Sequence, residues 1–397
     1  MKKNALLIVL LTWFLGNMDI HFLTPALPSL ADFFLVSPNI AQLTISLFLL
    51  GKALSMILWG LASERYGRKP VFIGGLLLFI ISNFLAALNN SIALFLVCRF
   101  FQGIGVGATL LMGRAMINDT HNEQNATQYF AWLFTLAGVF ICFLPFLGGL
   151  INNYWNWKIA SLLIAGYGLL LLPLCRSLKE TKPLKVSSSG LSQSLMLVFG
   201  HPVFVSYLFI SALMMAGESA FNTSASFILI KGAHFTSAQY GSIKTSMAIM
   251  HLLGTACCGL IVKYFHSTQL TKLGVRFFVS SAVLMWLFVL SSENIYLTFI
   301  VPMMIYYFGT GFIVASATSA VVRPFPQQMA IALAITLFCQ FNCSAFFSFI
   351  TSMLGIQRVE MFMLLLSLIS ILSFLSLLKL ERNDRIKNIF NEEIGGA

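Results

Sequence analysis

Long apolar runs alternate with short polar segments along the whole chain. Each run holds about 20 mostly apolar residues, the length that an α-helix needs to cross the hydrocarbon core of a bilayer. The boundaries between runs are marked by charged residues and by Pro, Asn and Gly. The pattern predicts about twelve membrane-spanning helices, near residues 6–28, 39–61, 71–90, 92–115, 128–151, 157–175, 203–230, 238–262, 273–291, 295–320, 329–351 and 361–379. We therefore expect an all-α polytopic membrane protein.

Composition agrees with this interpretation. Hydrophobic residues make up 58% of the 397 residues, charged residues only 9%, and the mean hydropathy is +0.88. Soluble domains of this size have a smaller share of apolar residues and a larger share of charged ones. The first apolar run lacks a small-residue cleavage site, so we expect it to remain as an uncleaved first helix.

The basic residues are unevenly distributed between the two sides of the predicted membrane region. Eighteen of the 24 fall in segments on the side of the N terminus, whereas the opposite loops hold only Lys158, Lys231 and Arg358. The positive-inside rule then predicts that both termini are cytoplasmic, in an inner membrane. Anionic lipid headgroups also account for the net charge of +11, so we expect the lipid bilayer, and no nucleic acid, as the partner of these loops.

The longest polar stretch between spans follows the sixth span, at residues 175–193, and carries four basic residues, a Pro and a Ser/Gly cluster. It predicts an N-terminal six-helix bundle at 1–175, a cytoplasmic linker at 176–200, a C-terminal six-helix bundle at 201–380 and a cytoplasmic tail at 381–397. A faint similarity between IAQLTISLFLLG in span 2 and SAQYGSIKTSMA in span 8 supports two related halves. Such halves are frequent in secondary transporters.

Three charged residues inside predicted spans are candidates for function. Arg99 interrupts LFLVCRFFQGIGVGATLL, and its permanent charge costs roughly 2.5–3.5 kcal/mol there by insertion scales. Asp19 in span 1 and Glu218 in span 7 are intramembrane carboxylates. Because removal from water favours a neutral carboxyl group, proton binding at Asp19 or Glu218 can be coupled to movement. A purely structural ion pair between Asp19 and Arg99 is the alternative.

The loop between spans 2 and 3, GLASERYGRKPVFIGG, is short and densely charged. It resembles the signature G-x-x-x-D-R-x-G-R-R of the major facilitator superfamily, with Glu64 in place of Asp and Lys69 in place of the last Arg. The resemblance implies the two-bundle fold of that family. It also implies that Glu64, Arg65, Gly67 and Arg68 form a conformational latch between the halves.

Span 4 extends the resemblance. Arg99, Gln102, Gly103, Gly105 and Gly107 resemble the pattern R-x-x-q-G-x-g-a, found in proton-coupled members of the family. The resemblance implies that Arg99 takes part in proton transfer. The glycines also allow close contact between helices.

Two further elements resemble drug/proton antiporters. Asp19 followed by Pro-Ala-Leu-Pro at 25–28 is similar to their first-helix motif, and Pro145, Gly148 and Gly149 resemble their helix-5 signature ending G-P-x-x-G-G. Leu144 replaces the glycine before the proline. We expect Pro145 to bend this helix and the two glycines to allow close packing.

Three short segments indicate which branch of the drug/proton antiporters the chain resembles. GRAMIND after span 4, SAFNTSASFIL in span 7 and VASATSA in span 10 resemble the Bcr/CflA-like (bicyclomycin/chloramphenicol-resistance) branch of twelve-helix antiporters. The resemblance implies export of drugs or small metabolites, driven by the proton gradient without a bound cofactor, by a monomer. The chain shows no nucleophile, metal or nucleotide constellation of an enzyme.

The balance of intramembrane charge favours an anionic substrate. Lys52 and Lys244 join Arg99 inside the spans, against two carboxylates, so a siderophore-like or other acidic metabolite is our hypothesis for the cavity, with Gln102 and Phe221 also lining it. In the alternative, Lys244 extends towards a helix end, Lys52 pairs with a carboxylate and Phe221 serves packing. An importer of an anionic nutrient or iron chelate, and a non-transporting receptor or scaffold, are the alternative functions.

Overall fold

The computed structural model describes residues 3–120, 123–181, 196, 198–322, 324–325 and 329–395. These residues form helices joined by short turns, and the described part of the chain holds no strand. Twelve helical segments are long and apolar enough to cross a membrane. The all-α fold and the predicted number of spans are therefore confirmed.

Helices α1 to α7 build the first six spans. They are α1 (Lys3–Leu23), α2 (Leu27–Phe34), α3 (Pro38–Tyr66), α4 (Arg68–Leu88), α5 (Ile92–Thr120), α6 (Glu123–Tyr154) and α7 (Trp157–Cys175). Local sequence explains several boundaries. Pro38 occupies the first turn of α3, where its fixed φ and missing N–H cost nothing, and the Asn156 side chain accepts a 3.0 Å hydrogen bond from the Ile159 N–H at the start of α7.

The remaining spans are built by α8 (Pro202–Ser226), α9 (Ser237–Ile261), α10 (Ser267–Ser291), α11 (Val301–Val322), α12 (Met329–Leu354) and α13 (Val359–Gly395). Two of them adjoin wider π-helical turns. Phe227–Gly232 continues α8, and Tyr296–Ile300 precedes α11. The predicted run near 203–230 is thus one span made of two helix types.

Span 1 is likewise composite. A 3₁₀ turn at Thr24–Ala26 separates α1 from α2, and the whole span extends to Phe34 rather than ending near residue 28. Pro25 and Pro28 lack the backbone N–H that would continue the α-helical ladder, which accounts for the break. Leu35 then ends α2 in the left-handed conformation, with φ 53°.

Contacts divide the chain into two compact units. The first unit comprises Met1–Val186, Ala220–Thr245 and Ala345–Gln357, and the second comprises Ser187–Ser219, Ser246–Ser344 and Arg358–Ala397. The six-helix halves expected from the sequence, with boundaries at 175 and 201, stay a prediction. Residues 182–195 and 197 of the predicted linker lie outside the described residues.

Helix α5 packs closely on α3 and α4 inside the first unit, because its glycines remove the side chains that would separate the backbones. A Cβ on Gly103 would lie 2.8 Å from the backbone N of Lys52, and a Cβ on Gly105 would lie 2.8 Å from the Cβ of Phe79. Real side chains do not tolerate such distances. The glycines predicted to allow close helix contact therefore hold Arg99 of α5 against α3.

In the second unit, α10 and α11 pack through small residues and aromatic rings. The rings of Phe278 and Tyr306 stack with centroids 4.3 Å apart. The Tyr306 hydroxyl donates to the Met214 carbonyl oxygen at 3.0 Å, which ties α11 to α8. This contact lies one helical turn from Glu218.

Candidate functional site

Arg99 and Asp19 form a buried ion pair between α5 and α1. Nη1 of Arg99 is hydrogen-bonded to Oδ2 of Asp19, and the two residues are 1% and 2% exposed. Charges so far from water are retained in proteins when they are paired and hydrogen-bonded. The structure thus brings together the two intramembrane charges that the sequence singled out in spans 1 and 4.

Other groups complete the surroundings of the Arg99 guanidinium. Nε donates to the Thr44 carbonyl oxygen at 3.1 Å, and Nη1 donates to Oε1 of Gln102 at 2.5 Å. The guanidinium carbon lies 4.6 Å from the centroid of the Phe48 ring, a cation–π distance. Nη2 has no hydrogen-bond partner among the described residues. Only one of these contacts, that with Asp19, neutralises the charge.

Gln102 belongs to the same network. It is 1% exposed, and its Nε2 donates to the Ser82 carbonyl oxygen at 3.4 Å while its oxygen accepts from Arg99. The side chain therefore connects the ion pair to α4. The structure places Gln102 beside Arg99, and its predicted place in the substrate cavity stays a prediction.

Arg68 is the centre of a second network at the loop between α3 and α4. Its Nε donates to Oδ2 of Asp119 at 3.1 Å, and its Nη1 is hydrogen-bonded to the Ser63 hydroxyl. The backbone N–H groups of Arg68 and Lys69 donate to the two carboxylate oxygens of Glu180, at 2.7 and 3.1 Å. Glu180 thereby caps the start of α4, where a carboxylate is favoured by the helix dipole.

Gly67 makes this capping possible. Its φ of +99° is disfavoured for residues with a Cβ, and a Cβ there would lie 2.8 Å from Cδ of Glu180. Glu64 and Arg65 are exposed, and Glu64 makes no hydrogen bond or ion pair with any residue that the structure describes. The predicted role of Glu64 in a latch stays a prediction.

The glycines of α6 contact span 1 and α9. The helix is continuous from Glu123 to Tyr154 through Pro145. A Cβ on Gly148 would lie 2.7 Å from the Cα of Phe22, and a Cβ on Gly149 would lie 3.0 Å from the Cα of Gly241. The helix-5 motif thus lets three backbones approach each other.

The two intramembrane lysines both lie in the first unit. Lys244 is 3% exposed, donates to Oδ1 of Asn222 and lies 5.8 Å from the ring centroid of the buried Phe221. Lys52 is half-buried on α3, close enough to Arg114 for the two charges to interact. Lys52, Arg114 and Lys244 therefore all lie in membrane helices of the first unit.

Glu218 lies on α8 in the second unit, unlike Asp19. It is half-buried, and it is close enough to Tyr306 for the two groups to interact electrostatically. The structure thus assigns the two predicted proton-binding carboxylates to different units. Their predicted roles in proton coupling stay a prediction.

A hydroxyl cluster within the first unit links α3, α8 and α12. The Ser46 hydroxyl is hydrogen-bonded to the hydroxyls of Ser348 and Ser352, both at 2.9 Å, and Thr223 joins Ser348 at 2.8 Å. One turn before Ser46 in α3, Nε2 of Gln42 donates to the Ile356 carbonyl oxygen at 2.8 Å. Sequence reasoning missed this contact, because serine and threonine are common in membrane helices and carry no distinctive pattern.

Comparisons with known proteins give a consistent result. A sequence profile described as Major Facilitator Superfamily matches residues 6–348. Multidrug resistance protein MdtL of Vibrio parahaemolyticus is 25% identical over 349 residues, which cover 86% of this chain and 86% of that protein. Multidrug resistance protein D of Escherichia coli is 26% identical over 336 residues, covering 81% of this chain and 82% of that protein.

The fold also resembles solved structures. The D-xylose-proton symporter superposes with a TM-score of 0.76 at 16% identity, covering 93% of this chain and 96% of that one. At this level of identity the similarity concerns the fold alone. It extends over almost the full length of both chains.

Proposed function

The chain belongs to the major facilitator superfamily, and from this premise we propose that it is a proton-driven exporter of drugs or small metabolites. Members of this family are transporters of small molecules and not enzymes, and the twelve spans indicate a multi-pass inner-membrane protein. Two relatives are named for multidrug resistance, which favours export. Both termini are assigned to the cytoplasm because the basic residues concentrate on that side.

The observation that carries the proposal is the buried Asp19–Arg99 ion pair. Protonation of Asp19 removes the carboxylate that neutralises Arg99 and leaves a buried cation whose other contacts in the described part of the chain are neutral. Such a state is unfavourable unless the surroundings rearrange. Proton binding is thereby coupled to a conformational change, as alternating access requires.

Antiport also requires that proton and substrate exclude each other. In the proposed cycle, Asp19 releases its proton when substrate enters from the cytoplasm, and Arg99 stabilises the ionised carboxylate. Glu218 is the second proton-binding group, since it lies half-buried in a membrane helix. The free energy of the proton gradient then drives the return step.

The loop between α3 and α4 supplies the latch in this proposal. Arg68 is held by Asp119 and the loop backbone is held by Glu180, so the turn keeps its shape. The exposed carboxylate of Glu64 is the group that we assign to the contact with the second half in the outward-facing state. The longer side chain of Glu, compared with Asp, reaches further from α3.

Charge inside the first unit favours anionic substrates. Lys52, Arg114 and Lys244 place three further cationic side chains in the spans of this unit, beside the Arg99 that is paired with Asp19. A substrate with carboxylates, siderophore-like in this respect, gains from such a field, whereas a lipophilic cation does not. Carboxyfluorescein and rhodamine 123 share a ring system and differ in charge, so they test this preference.

The experiment uses inside-out vesicles with an established proton gradient. Addition of either dye to wild-type vesicles is expected to release protons from the lumen, with the larger signal for carboxyfluorescein, and Asp19→Asn is expected to abolish the signal. Asp32→Asn is the matched control, because Asp32 forms an exposed ion pair with Lys231. Transport that persists after the proton gradient is collapsed would overturn the mechanism.

An importer of an anionic nutrient or iron chelate is the second candidate. Leu144, which replaces the glycine before the proline in the helix-5 motif of exporters, favours this second candidate. Accumulation of substrate from outside intact cells, instead of loss from loaded cells, distinguishes import from export. The non-transporting receptor finds no support in the comparisons.

A further inference from the structure

The Tyr306 hydroxyl meets α8 directly beside Glu218, and the proposed cycle does not use it. Tyr306 lies on α11 and is 0% exposed, and both residues belong to the second unit. Its ring stacks on that of Phe278 from α10, with the two ring planes 21° apart. The position of the hydroxyl oxygen is therefore fixed by α10 and α11, whereas the hydroxyl hydrogen can still rotate about the Cζ–Oη bond.

Gly217 lets the hydroxyl approach the backbone of α8. A Cβ on Gly217 would lie 2.5 Å from Cζ of Tyr306 and would meet the hydroxyl group as well. A side chain at this position would therefore displace the Tyr306 ring. The glycine thus brings the hydroxyl against the helical turn that carries Glu218, the next residue along α8.

The Tyr306 hydroxyl is within reach of the Glu218 side chain. It donates to the Met214 carbonyl oxygen at 3.0 Å, and in an α-helix the same oxygen accepts the N–H of the residue four positions later, which is Glu218. These two bonds place the hydroxyl oxygen within about 6 Å of the Glu218 backbone nitrogen. Met214, Gly217 and Glu218 are spaced i, i+3 and i+4, so they share the face of α8 that the hydroxyl contacts. Helical side chains lean towards the N terminus, and the electrostatic interaction between Tyr306 and Glu218 agrees with this proximity.

Two acceptors therefore compete for the single hydroxyl hydrogen. The Met214 carbonyl oxygen is neutral and keeps its helical hydrogen bond if the hydroxyl turns away, whereas an ionised Glu218 carboxylate forms a charge-assisted bond about twice as strong. We propose that Tyr306 is a positioning residue for Glu218: its hydroxyl donates to the ionised carboxylate and turns back to Met214 when Glu218 is protonated. The proposal rests on the role in proton coupling proposed above for Glu218, and it adds the group that sets the proton affinity of this carboxylate.

Other titratable groups lie on the helices around Tyr306. The Cys343 thiol of α12 interacts electrostatically with Tyr306 and with Cys339, one turn before it. Helix α9 carries His251, which is hydrogen-bonded to α11, and α10 carries Arg276, which is exposed. A thiol accepts hydrogen bonds only weakly, so Cys343 does not compete with a carboxylate for the hydroxyl hydrogen. Cys343→Ser can therefore serve as a control.

Infrared difference spectra of the purified full-length protein, recorded between acidic and alkaline pH, test this assignment. A carboxyl group gains a C=O stretching band when it takes up a proton, and the band that is missing in Glu218→Gln belongs to Glu218. In Tyr306→Phe this band is expected to reach half of its intensity about one pH unit higher than in the wild type. The reason is that the ionised carboxylate loses a charge-assisted hydrogen bond, which raises its proton affinity about tenfold.

Tyr207→Phe is the matched control. The Tyr207 hydroxyl of α8 is hydrogen-bonded to the Thr268 hydroxyl of α10 at 3.0 Å, and Tyr207 lies about 16 Å along α8 from Glu218. Tyr207→Phe and Tyr306→Phe each remove one buried hydrogen bond between two helices, so both are expected to lower the melting temperature by similar small amounts. Only Tyr306→Phe is expected to shift the Glu218 band, whereas Tyr207→Phe and Cys343→Ser titrate as the wild type does.

Gly217→Ala replaces Tyr306→Phe if that variant does not fold. The new methyl group displaces the Tyr306 hydroxyl from α8 and is expected to produce the same shift of the band. Gly259→Ala is its control, because a Cβ there meets nothing within 4 Å. Two results would overturn the proposal: the Glu218 band titrates equally in the wild type and in Tyr306→Phe, or no band of Glu218 changes between acidic and alkaline pH.

The proposed function fails separately from this assignment. The expected shift of the Glu218 band, without any substrate-dependent proton signal in vesicles, refutes antiport but not the contact between Tyr306 and Glu218. A proton signal in vesicles, together with an unchanged band in Tyr306→Phe, refutes the assignment of Tyr306 alone.

Discussion

Arg99 and Arg68 each pair with one aspartate in the first unit, but water reaches the two pairs to different degrees. The side chains of Arg99 and Asp19 are 2% and 3% exposed, whereas those of Arg68 and Asp119 are 16% and 17% exposed. The same two functional groups therefore work in different dielectric surroundings. Breaking the first pair leaves a charge buried without a counter-charge, while breaking the second leaves two groups that water can reach.

This difference suits the two roles that we propose. A pair that is costly to break makes protonation of Asp19 impossible without a structural response. A pair that is inexpensive to break, at a loop that must form and release contacts in each cycle, adds little to the barrier. Four predictions test the comparison, from the largest expected effect to the smallest.

Asp19→Asn is expected to abolish the proton signal and to lower the free energy of unfolding by about 3–5 kcal/mol, because Arg99 loses the one ion-pair partner that it has among the described residues. The double variant Asp19→Asn with Arg99→Gln is expected to recover most of the stability without recovering transport. Unfolding in denaturant and the vesicle assay measure the two quantities. If the double variant still transports with proton coupling, the Asp19–Arg99 pair is not needed for coupling and has a structural role only.

Gly67→Ala is expected to lower the free energy of unfolding by about 1–2 kcal/mol, since it forces a side chain into a positive φ. The new methyl group also displaces the Glu180 carboxylate from its hydrogen bonds. Gly74→Ala is the control, because a Cβ there meets nothing within 4 Å. Equal effects of the two substitutions on the unfolding midpoint would show that the turn geometry is unimportant.

Glu180→Gln is expected to lower the free energy of unfolding by less than about 1 kcal/mol, because its carboxylate caps α4 from an exposed position. Glu64→Gln is expected to leave stability unchanged, since Glu64 forms no ion pair with a described residue. Denaturant unfolding of both variants checks this contrast. A larger loss for Glu64→Gln would reverse our assignment of which carboxylate holds the turn.

The smallest expected effect is that of salt. Raising the ionic strength from about 0.1 M to about 1 M shortens the screening length from about 10 Å to about 3 Å. The stability difference between wild type and Glu180→Gln is expected to shrink, while that between wild type and Asp19→Asn stays constant. Repeating the unfolding measurements at the two ionic strengths is sufficient. A strong salt dependence for Asp19→Asn would mean that water reaches the buried pair.

The buried pair could be found from the sequence and the exposed one could not. A charge inside an apolar run has few possible partners, because water does not reach it there. The sequence therefore already suggests Asp19 in span 1 as a partner for Arg99 in span 4. Arg68 lies among many charges, and its pairing with Asp119 and the capping of α4 by Glu180 depend on the backbone turn at Gly67. Local sequence does not encode which distant carboxylate meets that turn.

The same limit applies within the spans. The twelve helices follow from apolar length, but the 3₁₀ turn at Thr24–Ala26 and the π turn at Phe227–Gly232 do not. A hydroxyl such as that of Ser226 is also inconspicuous in a sequence, because most serine hydroxyls in helices bond a carbonyl of their own helix. Only the tertiary structure shows that the Ser226 hydroxyl has no partner among the described residues.

The hydroxyl cluster of Ser46, Ser348, Ser352 and Thr223 has a kinetic consequence. A hydroxyl can act as donor and acceptor at once: the Ser352 hydroxyl donates to the Ser348 carbonyl oxygen of its own helix at 3.0 Å and can accept from Ser46. A separation of α3 and α12 would release these hydroxyls, and each could then bond a carbonyl of its own helix, as Ser352 already does. The number of these hydrogen bonds opposes random separation of the helices. Because the bonds can break one after another, no single step of opening has to break them all.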